Sequence, residues 1–332
     1  MTEIRYLSSP DLAGLASPAE YVAAVRAGYR QRGEGAPAEP RTRLDSETPQ
    51  GMLTGYFAVL PETGAMGGYT YSAGFQSRDA HFVLPLFDAD GGELLALLDG
   101  SLLNPFKTGA AGAVGVDALA RTDATRLGLL GSGTQARGQL LATATVRDLE
   151  HVSVYSPTAD HRNGFVAEMD DRIDAAVEAV SSGADAVTGA DIVVTATTAS
   201  DPVFDGDLLD PGTHVTVMGQ YHPDRAEVDP ETVARATYVP DLRGRLEQDA
   251  GSFLRALADG AVDEDHAHAE LGEVVAGRAP GRTDDTEITL FDSGGTGIET
   301  VAAAKLLYDR ACEAGVGTML ELSPASEAFP GR

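Results

Sequence analysis

A glycine-rich turn between an apolar segment and the start of a helix is the clearest candidate for chemistry. The apolar run 127–130 leads directly into a Gly-x-Gly-x-x-Ala pattern. Gly131 permits a tight turn, Gly133 lets the backbone approach a pyrophosphate, and Ala136 allows the helix to pack closely on the strand. The free N–H groups of the helix start attract the anion. With a further strand at 152–155, the pattern predicts a dinucleotide site formed by Gly131, Ser132, Gly133, Thr134, Gln135 and Ala136.

The residues after that further strand bear on the choice between the two nicotinamide dinucleotides. NAD-binding folds usually carry Asp or Glu there to hold the ribose 2′-hydroxyl. This chain has Ser156, followed by Thr158 and Arg162. The missing carboxylate removes a charge that repels a 2′-phosphate, and these three side chains can donate hydrogen bonds to it. The sequence therefore favours NADP(H) over NAD(H). The alternative for Arg162 is a solvated residue at a helix start.

The elements that position these residues follow two patterns. The first hundred residues are rich in strands, with a helix starting at a capping-box Ser17, strands at 51–60 and 68–75, and a hairpin at 81–98. A helix of small residues is predicted at 108–121. Strands and helices then alternate, which predicts a parallel sheet with right-handed crossovers. The strands are expected at 127–130, 152–155, 191–196 and 214–218, and the helices at 135–146, near 160–180, and at 300–315.

Several segments together resemble one protein family over nearly the whole chain. They are Lys107-Thr108-Gly109-Ala110-Ala111, the turn 131–136, 190–197, Pro211-Gly212-Thr213-His214 and 291–297. This combination is similar to ornithine cyclodeaminase, archaeal alanine dehydrogenase and mu-crystallin, which share a fold. The resemblance implies an α/β protein with a Rossmann-type dinucleotide-binding domain at 119–304. It also implies an α+β domain at 1–118, completed by 305–332, which binds the substrate and forms a homodimer.

The resemblance further implies hydride transfer at a carbon that bears nitrogen, in a small amino or imino acid. Two strand ends and a turn are then expected to flank the ribose and the nicotinamide. These positions are Thr195, Ala196, Thr197, Met218, Gly219, Ser293, Gly294 and Gly295. The alternative for them is ordinary strand-end and turn chemistry.

The expected substrate residues depart from the family's pattern. The family usually opens the small-residue helix with an Arg that holds the substrate carboxylate, and this chain has Lys107. Arg41 best matches the second carboxylate-binding Arg. Tyr69 stands where the family has a site Lys, and Tyr221 stands where it has a catalytic Asp. Tyr69, Tyr221 and His222 are therefore the candidates for acid–base chemistry, with a structural turn role as the alternative for His222.

The charge of the chain excludes some partners. It has 51 Asp and Glu against 24 Lys and Arg, a formal net charge of −27, and these acids are scattered along the chain. Such a surface repels nucleic acids and anionic membranes. Scarce Lys and abundant Asp are typical of halophiles and indicate a haloarchaeal member of the family, with an acidic mesophilic enzyme as the alternative. The chain has one cysteine, Cys312, so it cannot form an internal disulfide. No metal site is expected. The absence of an apolar leader predicts a cytoplasmic protein.

Three functions remain open on the sequence alone. The first is an NAD(P)-dependent enzyme of the cyclodeaminase and alanine dehydrogenase type that acts on a small amino or imino acid. The second is a nucleotide-binding protein whose catalysis has lapsed. The third is a reductase of a cyclic imine or a carbonyl compound. The preserved cofactor motif favours an enzyme, whereas the missing Lys and Asp favour lapsed catalysis.

Overall fold

A computed structural model describes residues 2–76, 79–219 and 221–327 of the 332-residue chain. No helix in these ranges is both long enough and apolar enough to cross a bilayer. Gln220 and residues 328–332, which belong to two segments discussed above, lie outside the described residues.

One sheet of the described structure contains seven strands, in the order β14-β1-β6-β5-β4-β3-β2. Neighbouring strands are antiparallel, except that β1 pairs in parallel with β6. The return of the chain end to β1 places β14 at the edge of this sheet. The strands are β1 (Thr2–Leu7), β2 (Thr42–Glu47), β3 (Gln50–Leu60), β4 (Ala65–Ala73), β5 (Val83–Asp88), β6 (Leu94–Asp99) and β14 (Thr318–Leu322).

Helices cover this first sheet and join it to the rest of the chain. They are α1 (Ser9–Leu12), α2 (Pro18–Gly33), α3 (Gly100–Leu119) and α10 (Gly297–Ala314). Helix α2 packs against α3 and α10, and α10 also contacts β3 and β4. The capping box predicted at Ser17 is confirmed, since its hydroxyl accepts the Glu20 N–H and the Glu20 carboxylate accepts the Ser17 N–H. The two strands and the hairpin predicted before residue 100 are confirmed as β3 to β6.

The second sheet is parallel throughout and has the order β12-β13-β11-β10-β7-β8-β9 among the described residues. Its strands are β7 (Arg126–Leu130), β8 (His151–Tyr155), β9 (Ala176–Ala179), β10 (Ile192–Thr195), β11 (His214–Val217), β12 (Ala236–Pro240) and β13 (Ile288–Asp292). Its helices are α4 (Thr134–Thr143), α5 (Ala159–Met169), α6 (Gly183–Val187), α7 (Pro230–Arg235), α8 (Gly251–Ala258) and α9 (Leu271–Val275). The strand order reverses between β7 and β10, and a crevice at such a point binds ligands in open α/β sheets. The expected α/β class with a Rossmann-type domain is confirmed.

Two predicted elements are wrong in their bounds. The small-residue helix begins at Gly100, because Asp99 caps it by accepting the Ser101 N–H, and Pro105 lies inside it rather than before it. Lys107 therefore lies two turns into a helix and not at its N-terminus. The stretch 160–180 contains α5 followed by the strand β9.

The chain passes from the second sheet back to the first just before α10. This helix starts at Gly297, with Thr296 as its cap, and its buried face packs on the first sheet. The domain division at 118/119 and 304/305 stays a prediction. The short segment 293–296 matters for the site, because it spans the two layers.

Candidate functional site

The glycine-rich turn leaves its backbone open at the end of β7. Gly131 has a φ of +123°, and a Cβ there would overlap the Ala196 carbonyl. A Cβ at Gly133 would meet no atom of the described residues within 4 Å. Gly133 is the cap of α4 and supplies no side-chain hydrogen bond, so the first amide N–H groups of α4 are available to an anion.

The ends of β7 and β8 are joined by side-chain hydrogen bonds. The Ser132 hydroxyl donates to the Ser156 hydroxyl at 2.9 Å. Arg162 donates to the Ser156 carbonyl at 2.9 Å, and Arg137 donates to the Ser132 carbonyl at 2.7 Å. Thr158 caps α5 without a side-chain hydrogen bond among the described residues. The structure thus brings Ser132, Ser156, Thr158 and Arg162 together beside the glycine-rich turn.

A buried glutamate that the sequence patterns did not single out organises the ends of β10 and β11. Glu227 accepts the hydroxyls of Thr195 and Thr197 at 2.8 and 2.6 Å, and the Gly219 N–H at 2.7 Å. Burial raises the pKa of Glu227, against the lowering effect of these hydrogen bonds. The hydroxyls of Thr195 and Thr197 both donate to Glu227. The segment 195–197, which includes Ala196, would therefore present mainly its backbone groups to a cofactor. Met218 accepts a hydrogen bond from Gln139.

The segment 293–296 follows the end of β13. The N–H groups of Gly294 and Gly295 donate to Asp241 at 2.9 and 3.2 Å, and Gly295 has a φ of +85°. The Ser293 hydroxyl and the Gln135 amide oxygen are buried, and neither has a hydrogen-bond partner among the described residues. Open amides and an unpartnered amide oxygen at the start of α4, with an unpartnered hydroxyl after the end of β13, fit a nicotinamide dinucleotide laid across the crevice.

An ion-pair cluster lies buried behind this segment. Arg245 is fully buried and lies 2.8 Å from Asp241, 2.8 Å from Asp249 and 3.2 Å from Asp292. Burial raises the pKa of Asp241 to about 6, although Arg245 opposes the rise. A buried arginine held by three carboxylates fixes the loop that carries Gly294 and Gly295, since those two amides share Asp241.

Arg41 connects the first sheet to this cluster. Its Nε lies 2.9 Å from Asp249 Oδ2, its Nη1 donates to the Tyr71 hydroxyl at 3.1 Å, and its Nη2 donates to the Gly294 carbonyl. Arg41 is 6 % exposed. Burial lowers its pKa, but the neighbouring Tyr71 and Asp249 outweigh burial, and the net pKa is raised. Arg41 therefore stays a cation at the junction of the two sheets.

Lys107 points into the same junction from α3. It is 1 % exposed, and its Nζ lies 3.2 Å from Glu299 Oε1 on α10 and 3.4 Å from the Tyr56 hydroxyl on β3. Burial lowers the pKa of Lys107, but Tyr56 and Glu299 outweigh it, and the net pKa is raised. A Cβ built on Gly295 would lie 3.6 Å from Lys107 Nζ, 3.7 Å from Glu299 Oε1 and 3.8 Å from the Tyr56 hydroxyl. Three functional groups therefore lie close to Gly295 and to one another.

The three residues expected to replace the acid–base pair have different surroundings. Tyr69 is fully buried, donates to the Gly100 carbonyl at 2.9 Å, and has a pKa well above its usual value because of burial. Tyr221 is 42 % exposed and its ring lies 4.7 Å from the Arg41 guanidinium. His222 accepts the Asp224 N–H at 3.2 Å, as a turn residue does. Tyr69 thus adjoins Lys107, whereas Tyr221 and His222 lie on the Arg41 side.

Two cavities open on the Arg41 side. One of about 720 Å³ is lined by Arg41, His222 and Asp249. A second, of about 550 Å³, is lined by Arg43, Gly219, Tyr221 and His222. Among the described residues, no three His, Cys, Asp or Glu side chains group as metal ligands. The site therefore consists of a nucleotide crevice that leads to two buried cations.

Comparisons with known proteins agree with this geometry. The family model described as ornithine cyclodeaminase/mu-crystallin matches residues 11–315. The chain belongs to this family. A Δ1-pyrroline-2-carboxylate reductase of Bacillus cereus is 35 % identical over 264 residues, which cover 79 % of this chain and 78 % of the relative. The alanine dehydrogenase of Archaeoglobus fulgidus and the ketimine reductase mu-crystallin of Mus musculus are 34 % and 32 % identical, each over 68 % of this chain, and the matches cover 69 % and 67 % of those relatives. These relatives support an enzyme in general.

Two solved structures show the same overall fold. The Δ1-pyrroline-2-carboxylate reductase of Thermococcus litoralis, in complex with NADH and L-proline, is 34 % identical, with a TM-score of 0.90 over 95 % of this chain and 99 % of that one. An archaeal alanine dehydrogenase dimer with bound NAD is 29 % identical, with a TM-score of 0.90 over 97 % of this chain and 100 % of that one. Both bind a nicotinamide dinucleotide.

Within this family member, the side chains that the sequence patterns missed all act through long-range contacts. Tyr56, Glu227, Asp249 and Glu299 touch predicted site residues that lie between 8 and 208 positions away in the chain. Of these four residues, Glu299 is the one that a local sequence pattern could have identified. It forms a capping box with Thr296, and its carboxylate also reaches Lys107.

Proposed function

We propose that this protein uses a nicotinamide dinucleotide to reduce a small cyclic imino acid to the amino acid, or to catalyse the reverse oxidation. The observation that carries the proposal is the convergence of three functional groups at Gly295. There Lys107, Glu299 and Tyr56 converge beside the segment that follows β13. Arg41, which binds the Gly294 carbonyl, closes the same region from the first sheet. The relatives that act on Δ1-pyrroline-2-carboxylate support a cyclic imino acid as the substrate class.

Separate groups of residues would bind the dinucleotide and the substrate. When bound, the dinucleotide supplies or accepts the hydride. The glycine-rich turn 131–136 would hold its pyrophosphate on the open amides of α4, and segments 195–197, 218–219 and 293–295 would flank its nicotinamide half. Arg41 and Lys107 would hold the substrate carboxylate with the N–H groups that their internal partners leave free. Fixing the carboxylate fixes the adjoining C=N carbon, which is a positioning effect.

We propose that NADP(H) is preferred to NAD(H). The end of β8 carries Ser156 where a carboxylate would repel a 2′-phosphate. Arg162 and Thr158 lie beside it. The relatives described above bind NADH and NAD, so the preference concerns this chain alone.

We also propose a homodimer formed through the outer face of the first sheet. Leu44 and Leu53 are direct partners across β2 and β3, and they are 63 % and 46 % exposed. Phe57 on β3 and Val83 on β5 add two more exposed apolar side chains. A group of exposed apolar side chains on one sheet face is typical of an interface. The archaeal alanine dehydrogenase is described as a dimer.

The experiment is a screen for loss of dihydronicotinamide absorbance at high salt. It offers cyclic imino acids, keto acids with ammonia, and carbonyl compounds, each with NADPH and with NADH. We expect turnover with a cyclic imino acid at a carboxylate-dependent rate, and no turnover with the same ring lacking the carboxylate. Equal rates for the ring with and without the carboxylate would show that Arg41 and Lys107 do not bind a substrate carboxylate.

A lapsed enzyme is the second candidate, because tyrosines occupy the positions of the family's Lys and Asp, at Tyr69 and Tyr221. Tyr69 donates its proton to a backbone carbonyl, and Tyr221 stacks on Arg41. Tight binding of NADPH with no turnover of any imine, keto acid or carbonyl compound would favour this candidate.

A further inference from the structure

We infer that Tyr56 is the catalytic residue that donates the proton to the imine nitrogen, with Lys107 and Glu299 as the residues that position it. This inference rests on the proposed function. It names a residue that is neither the Lys nor the Asp of the family pattern, and neither of the tyrosines that stand in their places.

The position of Tyr56 follows from strand register. It lies opposite Tyr69 in the β3–β4 pair, so both rings project from the same face of the sheet, and their centroids are 5.8 Å apart. The next residue, Phe57, projects from the opposite face and is 50 % exposed. The period of two in a strand thus turns Tyr56 towards α3, α10 and the nucleotide crevice.

Two cations, Lys107 and Arg41, contact the Tyr56 ring. The Lys107 Nζ and the Arg41 guanidinium each lie 5.3 Å from the ring centroid. Tyr56 is 5 % exposed, so these cation–π contacts act with little screening by water. A substrate carboxylate held by either cation therefore brings its adjoining C=N bond next to the Tyr56 hydroxyl.

The hydrogen bonding of Tyr56 leaves its proton available. An ammonium group can only donate, so the 3.4 Å contact with Lys107 uses the Tyr56 oxygen as an acceptor. No acceptor for the Tyr56 O–H occurs in the described part of the chain, and the hydroxyl lies 3.8 Å from the position that a Cβ on Gly295 would take. The other neighbouring tyrosine, Tyr69, already donates to the Gly100 carbonyl.

The proposed step balances in charge and atoms. The lone pair of the imine nitrogen takes the proton of Tyr56, and the O–H electron pair stays on the phenolate oxygen. The carbon receives the hydride, and the C=N π pair returns to nitrogen as a lone pair, which gives the amine. The Lys107 ammonium stabilises the phenolate, and Glu299 holds that ammonium in place. The phenolate then regains a proton from solvent, so one solvent proton is consumed in each turnover.

The first test compares Tyr56→Phe with Tyr21→Phe, a change at a buried tyrosine of α2, in the intact protein. General acid catalysis contributes about 10²- to 10⁴-fold, so Tyr56→Phe should lower kcat for imine reduction by at least about 10²-fold. The Kd of NADPH should stay within about threefold of the wild type, because the ring remains between the two cations. Tyr21→Phe, the matched control, should keep kcat within a few fold, since the ring of Tyr21 stays stacked on Phe106. A Tyr56→Phe enzyme with wild-type kcat would overturn the inference.

The second test measures binding and needs no turnover. Pyridine-2-carboxylate and benzoate have the same shape, but only the first carries a ring nitrogen that accepts a hydrogen bond. The wild-type protein loaded with NADP⁺ should bind pyridine-2-carboxylate about two- to tenfold more tightly, as one hydrogen bond predicts. Tyr56→Phe should bind both probes equally, and Tyr21→Phe should keep the preference. Equal binding by the wild type would overturn the inference.

The two tests separate this inference from the proposed function. If the wild type reduces imino acids and Tyr56→Phe does so equally well, the reductase proposal stands and Tyr56 is not the donor. If the wild type reduces none but prefers pyridine-2-carboxylate through Tyr56, the donor geometry stands and the reductase proposal fails. If neither probe binds, the carboxylate site is absent and both proposals fail.

Discussion

At the scale of single residues, we expect Ser156 to determine the preference for NADP(H) over NAD(H). Its hydroxyl lies against Ser132 of the glycine-rich turn, so an acid at this position would face the same part of the ligand. Ser156→Asp should reverse the preference from NADP(H) to NAD(H) by about tenfold or more, since two unit charges 4 Å apart near a protein surface repel by about 4 kcal/mol. Ser156→Ala, which adds no charge, should change the ratio only a few fold. Fluorescence titration with NADPH and NADH measures both; equal Kd values for the unmodified protein would contradict the preference.

Lys107 stays a predicted substrate residue, although the helix start on which that prediction depended was wrong. The small-residue pattern identified it, but the helix begins at Gly100 and the charge of Lys107 is paired with Glu299. Lys107→Met should lower the free energy of unfolding by about 3–5 kcal/mol, because the buried Glu299 loses its partner. The double variant Lys107→Met/Glu299→Gln should recover most of this stability and none of the imino acid binding. Urea unfolding and substrate titration distinguish the two effects; recovered binding in the double variant would remove Lys107 from the substrate site.

At the scale of elements, the cluster around Arg245 links the two sheets through Asp249. Asp249 accepts from Arg245 within the second layer and faces Arg41 from the first. Asp249→Asn should therefore loosen Arg41, raising KM for the imino acid about tenfold or more while changing the Kd of NADPH only a few fold. The exposed Asp259, at the end of the same helix α8, gives the matched control Asp259→Asn, which should leave both constants unchanged. A rise in both constants together would mean that Asp249 only maintains the fold.

The first residue of β11 gives an element-scale pH dependence. His214 is fully buried between Thr289 and Thr216, and burial, with Arg282 and Arg147, lowers its pKa to about 3. The unfolded chain binds a proton near the ordinary pKa of about 6.5, so stability is full above that pH and falls as the pH drops towards 3. The contribution of His214 should fall by up to about 1.4 kcal/mol for each pH unit in this window. Urea unfolding of wild type and His214→Gln measures it, and parallel pH profiles would contradict it.

Local sequence patterns predicted the helices and strands, whereas contacts between residues far apart in the chain form the candidate site. Ser17 with Glu20 and the turn at Gly131 act within a few residues, so their helix starts could be predicted from the sequence. The N-terminal bound of α3 failed because Pro105 signals a boundary locally, whereas the Asp99 cap and the packing against α4 keep the helix intact. Tyr56 could not be predicted as a site residue, because its partner Lys107 lies 51 positions away on α3, and α3 and β3 meet through their shared contacts with α10.

At the scale of the whole molecule, the net charge of −27 should make stability depend on salt. The acids outnumber Lys and Arg by 51 to 24, and several of those cations are held in buried pairs, such as Arg245 and Lys107. The remaining carboxylates repel one another in dilute buffer, and molar salt reduces the Debye length from about 10 Å to about 3 Å.

We therefore expect Tm to rise steeply between about 0.1 M and molar KCl, where added salt shortens the Debye length most. Sucrose is the matched control, because it stabilises compact states by exclusion from the surface without screening charge. The rise in KCl should shrink as the pH approaches 4.4, the pI of the chain, since protonated carboxylates no longer repel. Differential scanning calorimetry over both variables tests this. A Tm that is flat in KCl at neutral pH, or that rises equally in sucrose, would leave an acidic protein without salt adaptation.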